Sequence, residues 1–167
     1  SKSSEEILIV FASNKGLCGS YNGNVYKKTK KYLEENSNIK KAIAIGKFGE
    51  RIAKRLGLEI VESYIEIDKM GSIDFTRMEK SLRESFLNNN YKKVHVTYTN
   101  FIKNGVYEAT ANCVYPVSRS LEKLHSKDIS DRENSLYVYE PSVNSVLENL
   151  IPKLISTILY SYHLESR

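Results

Sequence analysis

The chain has 167 residues, which is long enough for one domain with a full hydrophobic core. Its hydrophobic fraction of 41%, charged fraction of 27% and mean hydropathy of −0.42 are ordinary for a soluble globular protein. The net charge of +5 favours acidic partners but does not indicate nucleic acid binding. The polar start SKSSEE is unlike a signal peptide, and no apolar run is long enough to predict a membrane-spanning helix.

The first half of the chain alternates apolar strands with amphipathic helices. Ile7 to Ala12 is a continuous apolar run, which predicts a strand covered on both faces. Helical periodicity follows over Ser20 to Glu35, with lysines facing outward. Lys41 to Ile45 predicts a second strand, Phe48 to Leu56 a second helix that stops at Gly57, and Glu59 to Ile67 an extended segment.

The second half predicts a helix, a hairpin and a long final helix. Ser72 or Asp74 can cap a helix that buries Phe75, Met78, Leu82 and Phe86 and ends at the asparagines 88–90. Period-two alternation over Val94 to Tyr115, interrupted by Asn104-Gly105, predicts an antiparallel hairpin. A polar stretch at 120–134 and a short strand at 136–139 follow.

The C-terminal segment predicts a helix over 142–167, with Pro152 bending or locally breaking it. Its apolar stripe comprises Val146, Leu147, Leu150, Leu154, Ile158, Leu159 and Tyr162. This stripe could be covered entirely by the sheet, or its distal part could pair with another helix in a coiled coil. The spacing alone leaves both interpretations open. Together the elements predict a single α/β domain over 1–167, Rossmann-like and layered, with a mostly parallel sheet that also contains the antiparallel hairpin.

The glycine-containing loop after the first strand is the strongest candidate site. A strand that feeds a helix through glycines exposes backbone N–H groups, an arrangement that suits phosphate. However, Gly16 and Gly19 do not fit the dinucleotide pattern, and Lys15 precedes the glycines where a Walker motif needs it after them. We therefore favour a structural or partner-contacting turn, with a nucleotide- or phosphate-binding enzyme as the alternative.

Other chemistry-bearing residues have plainer interpretations. Cys18 lacks an evident base, so a small loop residue is favoured over a catalytic thiol, and with Cys113 it forms no disulfide framework or metal spacing. The three histidines, His95, His125 and His163, also lack metal-ligand spacing. The lysine clusters favour a solvated surface over an RNA-binding one. Thus the residues alone predict no catalytic group, cofactor or metal.

Four blocks in the same order resemble the gamma subunit of F-type ATP synthases. The first is a strand followed by the loop Ser13-Asn14-Lys15-Gly16-Leu17-Cys18-Gly19 and then Asn22, similar to the family's Ser-Asp-Arg-Gly-Leu-Cys-Gly loop and Asn-containing helix start. Residues 97–101 and 114–117 resemble two strand ends of the family. The last block is Tyr139-Glu140-Pro141-Ser142 with a later Leu164-Glu165-Ser166, similar to the family's Tyr-Glu-Pro-Ser and Leu-Glu-Ser.

The resemblance implies a non-catalytic rotor part, because ATP chemistry in the family occurs on the alpha and beta subunits. It implies contacts with an epsilon-type subunit and with the membrane ring of c-type subunits, and with alpha and beta through a coiled coil that this sequence lacks. It further implies a peripheral location at the cytoplasmic face of an energy-coupling membrane, without insertion. Asn14-Lys15 replaces the family's Asp-Arg, which leaves open a specialised F-type-like motor not used for ATP synthesis.

Overall fold

The computed structural model describes residues 4–12, 19–67, 71–89, 91–103, 106–116 and 143–153. The strands are β1 (Glu6–Phe11), β2 (Ile39–Ile45), β3 (Glu59–Tyr64), β4 (Lys93–Lys103) and β5 (Val106–Tyr115). The helices are α1 (Gly19–Glu35), α2 (Lys47–Arg55), α3 (Ser72–Asn89) and α4, which covers 143–153. The predicted alternation of strands and helices is confirmed.

The strands form one mixed sheet with the order β3-β2-β1-β4-β5. β1 runs parallel to both β2 and β4, and β2 runs parallel to β3. β5 is antiparallel to β4 and follows it across positions 104–105. The predicted α/β class, the mostly parallel sheet and the antiparallel hairpin are therefore confirmed.

The central strand β1 is buried along its whole length because helices cover both faces of the sheet. Ile7, Ile9 and Phe11 pack in the cluster that contains residues of α3 and α4. Leu8 and Val10, which alternate with them, pack against α1 and α2. The strand's continuous apolar sequence follows from this two-sided cover.

The close packing of α2 on β1 depends on a glycine. A Cβ atom built at Gly49 would lie 2.8 Å from the carbonyl oxygen of Val10 and 3.5 Å from the amide nitrogen of Ala12. Since real Cβ atoms do not approach a backbone oxygen so closely, any larger residue would push the helix off the strand. The end of α2 is fixed by Gly57, whose φ of 76° is a left-handed conformation that glycine adopts without strain.

The start of α3 differs from the predicted capping by Ser72 or Asp74. Gly71 occupies the cap position, and its carbonyl accepts the N–H of Phe75 at 3.1 Å. Ser72 is the first helical residue, and Asp74 Oδ2 accepts the N–H of Gly71 at 2.9 Å. Asp74 thus supplies the reach-back arm of a capping box from inside the first turn. Met78, Leu82 and Phe86 are buried as predicted.

The strict alternation predicted along β5 ends near its last residues. The register shifts between Val94 and His95, so that Val94 pairs with Tyr115 and His95 pairs with Cys113. Asn112 and Cys113 are both exposed and Val114 is buried, so the predicted alternation is interrupted at this point. A local register shift of this kind is a β-bulge, which two-residue periodicity cannot reveal.

Some predicted elements lie outside the described residues, namely the polar stretch at 120–134, the strand at 136–139 and the final helix beyond 153. α4 is helical on both sides of Pro152 as far as residue 153. Among the described helices, none combines the length and apolar character needed to cross a membrane.

Candidate functional site

The glycine loop belongs to the carboxyl end of the central strand. β1 lies between β2 and β4, so the chain leaves β1 at the point where the strand order reverses. Within the motif, the described residues begin at Gly19, where α1 starts, and Asn22 is buried in that helix at 7% exposure. The other predicted loop residues lie outside the described part of the chain: Asn14, Lys15, Gly16, Leu17 and Cys18. Their roles stay predictions.

The predicted start of the last helix, Tyr139, Glu140, Pro141 and Ser142, also lies outside the described residues. α4 follows it directly, and its apolar side is buried in the main core through Val143, Val146, Leu147 and Leu150. This confirms the predicted stripe for its first three positions, Val146, Leu147 and Leu150, whereas Leu154 and the later positions lie beyond the described part. The main core therefore covers the apolar side of α4 as far as Leu150, and Ile151 is partly buried against it.

Polar contacts hold α4 near both of its described ends. Arg83 of α3 donates from Nη1 to Asn144 Oδ1 at 2.8 Å, and its Nη2 lies 3.2 Å from Glu79 Oε1. At the other end, Nζ of Lys153 lies 4.9 Å from the centroid of the Tyr98 ring on β4. Burial lowers the pKa of Lys153, as expected for an amine withdrawn from water.

These contacts and the apolar residues beneath them form the α4 anchor, defined by Arg83, Asn144, Tyr98, Lys153 and the buried side of α4. Such an anchor can transmit force between a helix and a sheet, because the packed interior deforms little. The sequence pattern predicted the apolar side of α4. It carried no signal for the Arg83–Asn144 contact, whose residues are 61 positions apart.

A second polar arrangement, the Glu6–His95–Tyr32 chain, joins β1, β4 and α1. The hydroxyl of Tyr32 lies 2.6 Å from Nδ1 of His95, and Nε2 of His95 lies 2.8 Å from Glu6 Oε1. Burial lowers the pKa of His95, which outweighs the opposing effect of its hydrogen bond to Glu6. The neutral imidazole then accepts from Tyr32 and donates to Glu6, so both ring nitrogens are satisfied.

This chain is suited to holding α1 on the sheet and not to catalysis. His95 is 1% exposed, so a substrate has no access to its imidazole. Burial raises the pKa of Tyr32 to about 12, which keeps its hydroxyl protonated as a donor. The hydroxyls of Thr29 and Thr97 add a parallel contact, with their Oγ1 atoms 3.0 Å apart. The sequence placed His95 and Thr97 on one side of a strand, but only the topology brings Glu6 and Tyr32 to them.

The exposed Cys113 lies in the strand that pairs with β4 at His95. Its thiol donates to the carbonyl of Tyr115 at 3.0 Å, and partial desolvation of the sulfur, which the exposure of the residue as a whole does not prevent, raises the pKa of the thiol. A thiol with a raised pKa is a poor nucleophile. Within the described ranges, no group of three or more His, Cys, Asp or Glu side chains could hold a metal ion.

Comparison with known proteins gives the same family as the sequence resemblance. The family model described as ATP synthase matches residues 1–167. An ATP synthase gamma chain from Fusobacterium nucleatum is 33% identical over 159 residues, covering 92% of this chain and 52% of the relative. One from Amoebophilus asiaticus is 27% identical over 165 residues, covering 96% and 55%. The chain thus spans about half the length of the curated relatives it matches.

Solved structures show the same fold. The rotor of the Euglena gracilis mitochondrial ATP synthase contains a chain with a TM-score of 0.63 and 12% identity, covering 97% of this chain and 64% of that one. The Tetrahymena thermophila mitochondrial ATP synthase central stalk and c-ring structure gives a TM-score of 0.55 and 16% identity, covering 99% and 77%. With the family model matching the whole sequence, the chain belongs to the ATP synthase gamma-chain family.

Proposed function

We propose that this chain is the globular part of the central-stalk gamma subunit of a rotary F-type ATPase. In this role it couples ATP synthesis or hydrolysis in the catalytic head to rotation and proton translocation. The observation that carries the proposal is the match of the ATP synthase family model to all 167 residues, with relatives named as gamma chains. The solved rotor and central-stalk structures of similar fold support it.

The α4 anchor gives the proposal a physical basis. A rotor body must hold its shaft firmly, and α4 is held by buried apolar residues on one side and by Arg83 and Tyr98 near its ends. We infer that the helix continues through residue 167 toward a coiled coil, with residues 1–167 acting as one domain. Tyr139 to Ser142 would then set the start of this helix. The loop from Asn14 to Gly19, with Asn22, would shape a turn or a subunit contact.

The proposal includes the surroundings of the chain. We infer that it is not itself catalytic and that it contacts an epsilon-type subunit, the ring of c-type subunits and, through the coiled coil, alpha and beta. It would then be peripheral at the cytoplasmic face of an energy-coupling membrane. The buried Glu6–His95–Tyr32 chain supports the non-catalytic role, since it satisfies the imidazole internally.

The test uses the native assembly. A tag on the natural gene allows the complex to be isolated, and the proposal expects alpha, beta and c-type subunits to be recovered with the chain. Leu147→Asp, which places a charge in the α4 anchor, should uncouple ATP hydrolysis from proton pumping. Leu87→Asp, at an exposed position of α3, is the control and should leave coupling unchanged. Recovery of the chain without those subunits would contradict the proposal.

The substitution at Asn14-Lys15 supports a second candidate, a gamma-like subunit of a specialised F-type-like motor not used for ATP synthesis. The loop there carries one cation where the family has an acid–base pair. The two candidates predict different subunits in the isolated complex. They also differ in ATP synthesis under a proton gradient, which the first candidate predicts and the second does not. A nucleotide-binding enzyme would instead show micromolar binding of ATP or NAD by calorimetry.

A further inference from the structure

Two helices on one side of the sheet, α1 and α2, carry a net charge equal to that of the whole chain. α1 and α2 together contain eight Lys or Arg residues and three Glu residues, which gives +5. Since the whole chain also carries +5, all other residues sum to zero. On the opposite side, α3 is balanced, with three cationic and three acidic residues. Charge scattered for solubility alone would not be expected to divide in this way.

We propose that the outer surface of α1 and α2, here called the basic face, binds an acidic protein surface on another subunit of the same assembly. All eight cationic residues of this face are exposed: Lys27, Lys28, Lys30, Lys31, Lys47, Arg51, Lys54 and Arg55. α1 and α2 share the cluster on one side of the sheet, so these charges point to a common surface. This inference rests on the proposed function, because it requires a multisubunit assembly.

The charges of α1 are not arranged to stabilise the helix itself. Its first turn has no acidic residue and its last turn has no basic one, whereas Glu34 and Glu35 lie at the end where a helix dipole disfavours them. Lys27 and Lys31 are one turn apart, a like-charge spacing that destabilises an isolated helix. By contrast, α2 has Glu50 in its first turn and Lys54 and Arg55 in its last, as the dipole favours.

The four lysines of α1 have no carboxylate within salt-bridge distance among the described residues, although Glu34 and Glu35 share their helix. On α2, Lys54 forms an ion pair with Glu50 at 2.9 Å. An acidic partner would therefore gain attraction without first breaking existing ion pairs on α1. Charge complementarity of this kind mainly sets the association rate and the choice of partner.

Two arginines of the basic face are already held in place. The guanidinium of Arg55 lies 4.8 Å from the centroid of the Tyr26 ring on α1, and that of Arg51 lies 5.0 Å from the Phe48 ring. Stacking on a ring fixes an arginine while leaving its N–H groups free to bind carboxylates. The entropy lost on binding an acidic surface is correspondingly smaller.

The side chains of α1 and α2 favour a protein as the binding partner of the basic face over a membrane or a nucleic acid. The exposed large hydrophobic side chains of the described residues lie on β3, β5, α3 and position 65, and none lies on α1 or α2. A membrane-surface helix needs such apolar anchors. Tyr26 and Phe48 are partly buried in the core beneath their arginines, so neither ring is placed to stack on bases.

The test compares two variants of equal charge in the native assembly. Lys27→Gln/Lys31→Gln removes two charges from the basic face, and Arg77→Gln/Lys80→Gln removes two exposed charges from α3. Glutamine has a helix propensity close to that of lysine, so both helices should persist. We expect the first variant to lower retention of a neighbouring subunit roughly tenfold in a moderate-salt wash, because screening weakens the remaining charges. The control variant should be retained like the wild type.

A zero-length carbodiimide, which joins lysine amines to carboxylates in contact, identifies the partner. Amide links from Lys27 or Lys31 to Asp or Glu residues of another subunit, absent from Lys80, would support the proposal. Links only to Glu34 or Glu35 would overturn the proposal, and so would equal losses of subunit retention in the two double variants. Either result, with the chain still present in the complex, would leave the proposed function standing. The proposal would also be overturned if Lys27→Gln/Lys31→Gln weakened binding to phosphatidylglycerol vesicles or to single-stranded RNA but left retention of the neighbouring subunits unchanged. Absence of the wild-type chain from the complex would overturn the proposed function as well.

Discussion

His95 and Glu6 are separated by 89 positions in the sequence, yet His95 Nε2 lies 2.8 Å from Glu6 Oε1 inside the protein. Both residues are buried, and the contact ties the start of the central strand to β4. Tyr32 extends the contact to α1. The three residues therefore join β1, β4 and α1 by side-chain contacts, in addition to the backbone pairing of β1 with β4.

Glu6→Ala should destabilise the protein by about 1–3 kcal/mol, because the buried N–H of His95 loses its acceptor. Urea unfolding followed by circular dichroism measures this change. Glu6→Gln is the matched control, since its amide oxygen can still accept the hydrogen bond, and it should cost less. Equal losses for the two variants would mean that the charge of Glu6, and not its acceptor geometry, is what matters.

The lowered pKa of His95 predicts acid sensitivity. The unfolded chain binds a proton at the ordinary histidine pKa of about 6.5, whereas the folded chain does so only at lower pH. Unfolding therefore takes up a proton as the pH falls below about 6.5, and stability decreases by at most about 1.4 kcal/mol per pH unit from this group. The titratable groups near the imidazole are those of Tyr32, Lys93, Glu6 and Cys113. All four are present both in the wild type and in a His95→Gln variant.

The comparison that isolates this effect is between the wild type and His95→Gln, unfolded in urea at several pH values from 7.5 to 5. The difference in their free energies of unfolding should narrow as the pH falls, because only the wild type loses the contribution of His95. His125 and His163 are present in both proteins and cancel. A difference that is constant with pH would contradict a neutral, buried imidazole.

Sequence patterns predicted the fold better than the site, for a physical reason. Apolar periodicity reports local burial, and it placed β1, the hairpin and the buried side of α4 correctly because each depends on neighbouring residues. The Glu6–His95–Tyr32 chain depends on contacts across 63 and 89 positions, which no local pattern encodes. The same holds for Arg83 and Asn144.

Two smaller errors concern positions where the local sequence fits more than one structure. Ser72 and Asp74 are both good cap residues, but Gly71 takes the cap position and Asp74 reaches back to it from the first turn. The bulge near Val114 breaks an otherwise regular alternation. In each case the position of the helix start or of the bulge can move by one to three residues while the hydrophobic pattern of the sequence stays almost unchanged.

Alanine substitution should have opposite effects on stability at two helical glycines, one in the close contact of α2 with β1 and one in open space on α1. Gly49→Ala would place a Cβ atom 2.8 Å from the carbonyl oxygen of Val10, so the helix must shift, at a cost of about 1–3 kcal/mol. Gly23→Ala, inside α1, meets nothing within 4 Å and should stabilise by about 0.5–1 kcal/mol. Thermal unfolding of the two variants measures both. Stabilisation by alanine at both positions would rule out the tight contact.

The α4 anchor predicts measurable coupling between Arg83 and Asn144. Arg83→Met and Asn144→Ala, with the double variant, form a thermodynamic cycle that isolates their hydrogen bond from other effects. We expect a coupling free energy of about 0.5–1.5 kcal/mol, because the 2.8 Å contact is partly shielded from water. Urea unfolding of the four proteins measures it.

The Arg83–Glu79 pair supplies the control for this cycle. It joins residues four apart on one helix, at 3.2 Å and with both side chains partly exposed, so a coupling of about 0.2–0.5 kcal/mol is expected. Coupling to Asn144 no greater than coupling to Glu79 would mean that Arg83 does not hold α4. If the larger value is found, the proposed function predicts that proton pumping in the Arg83→Met assembly falls relative to ATP hydrolysis, since only the apolar contacts and the Lys153–Tyr98 contact would still join α4 to the sheet.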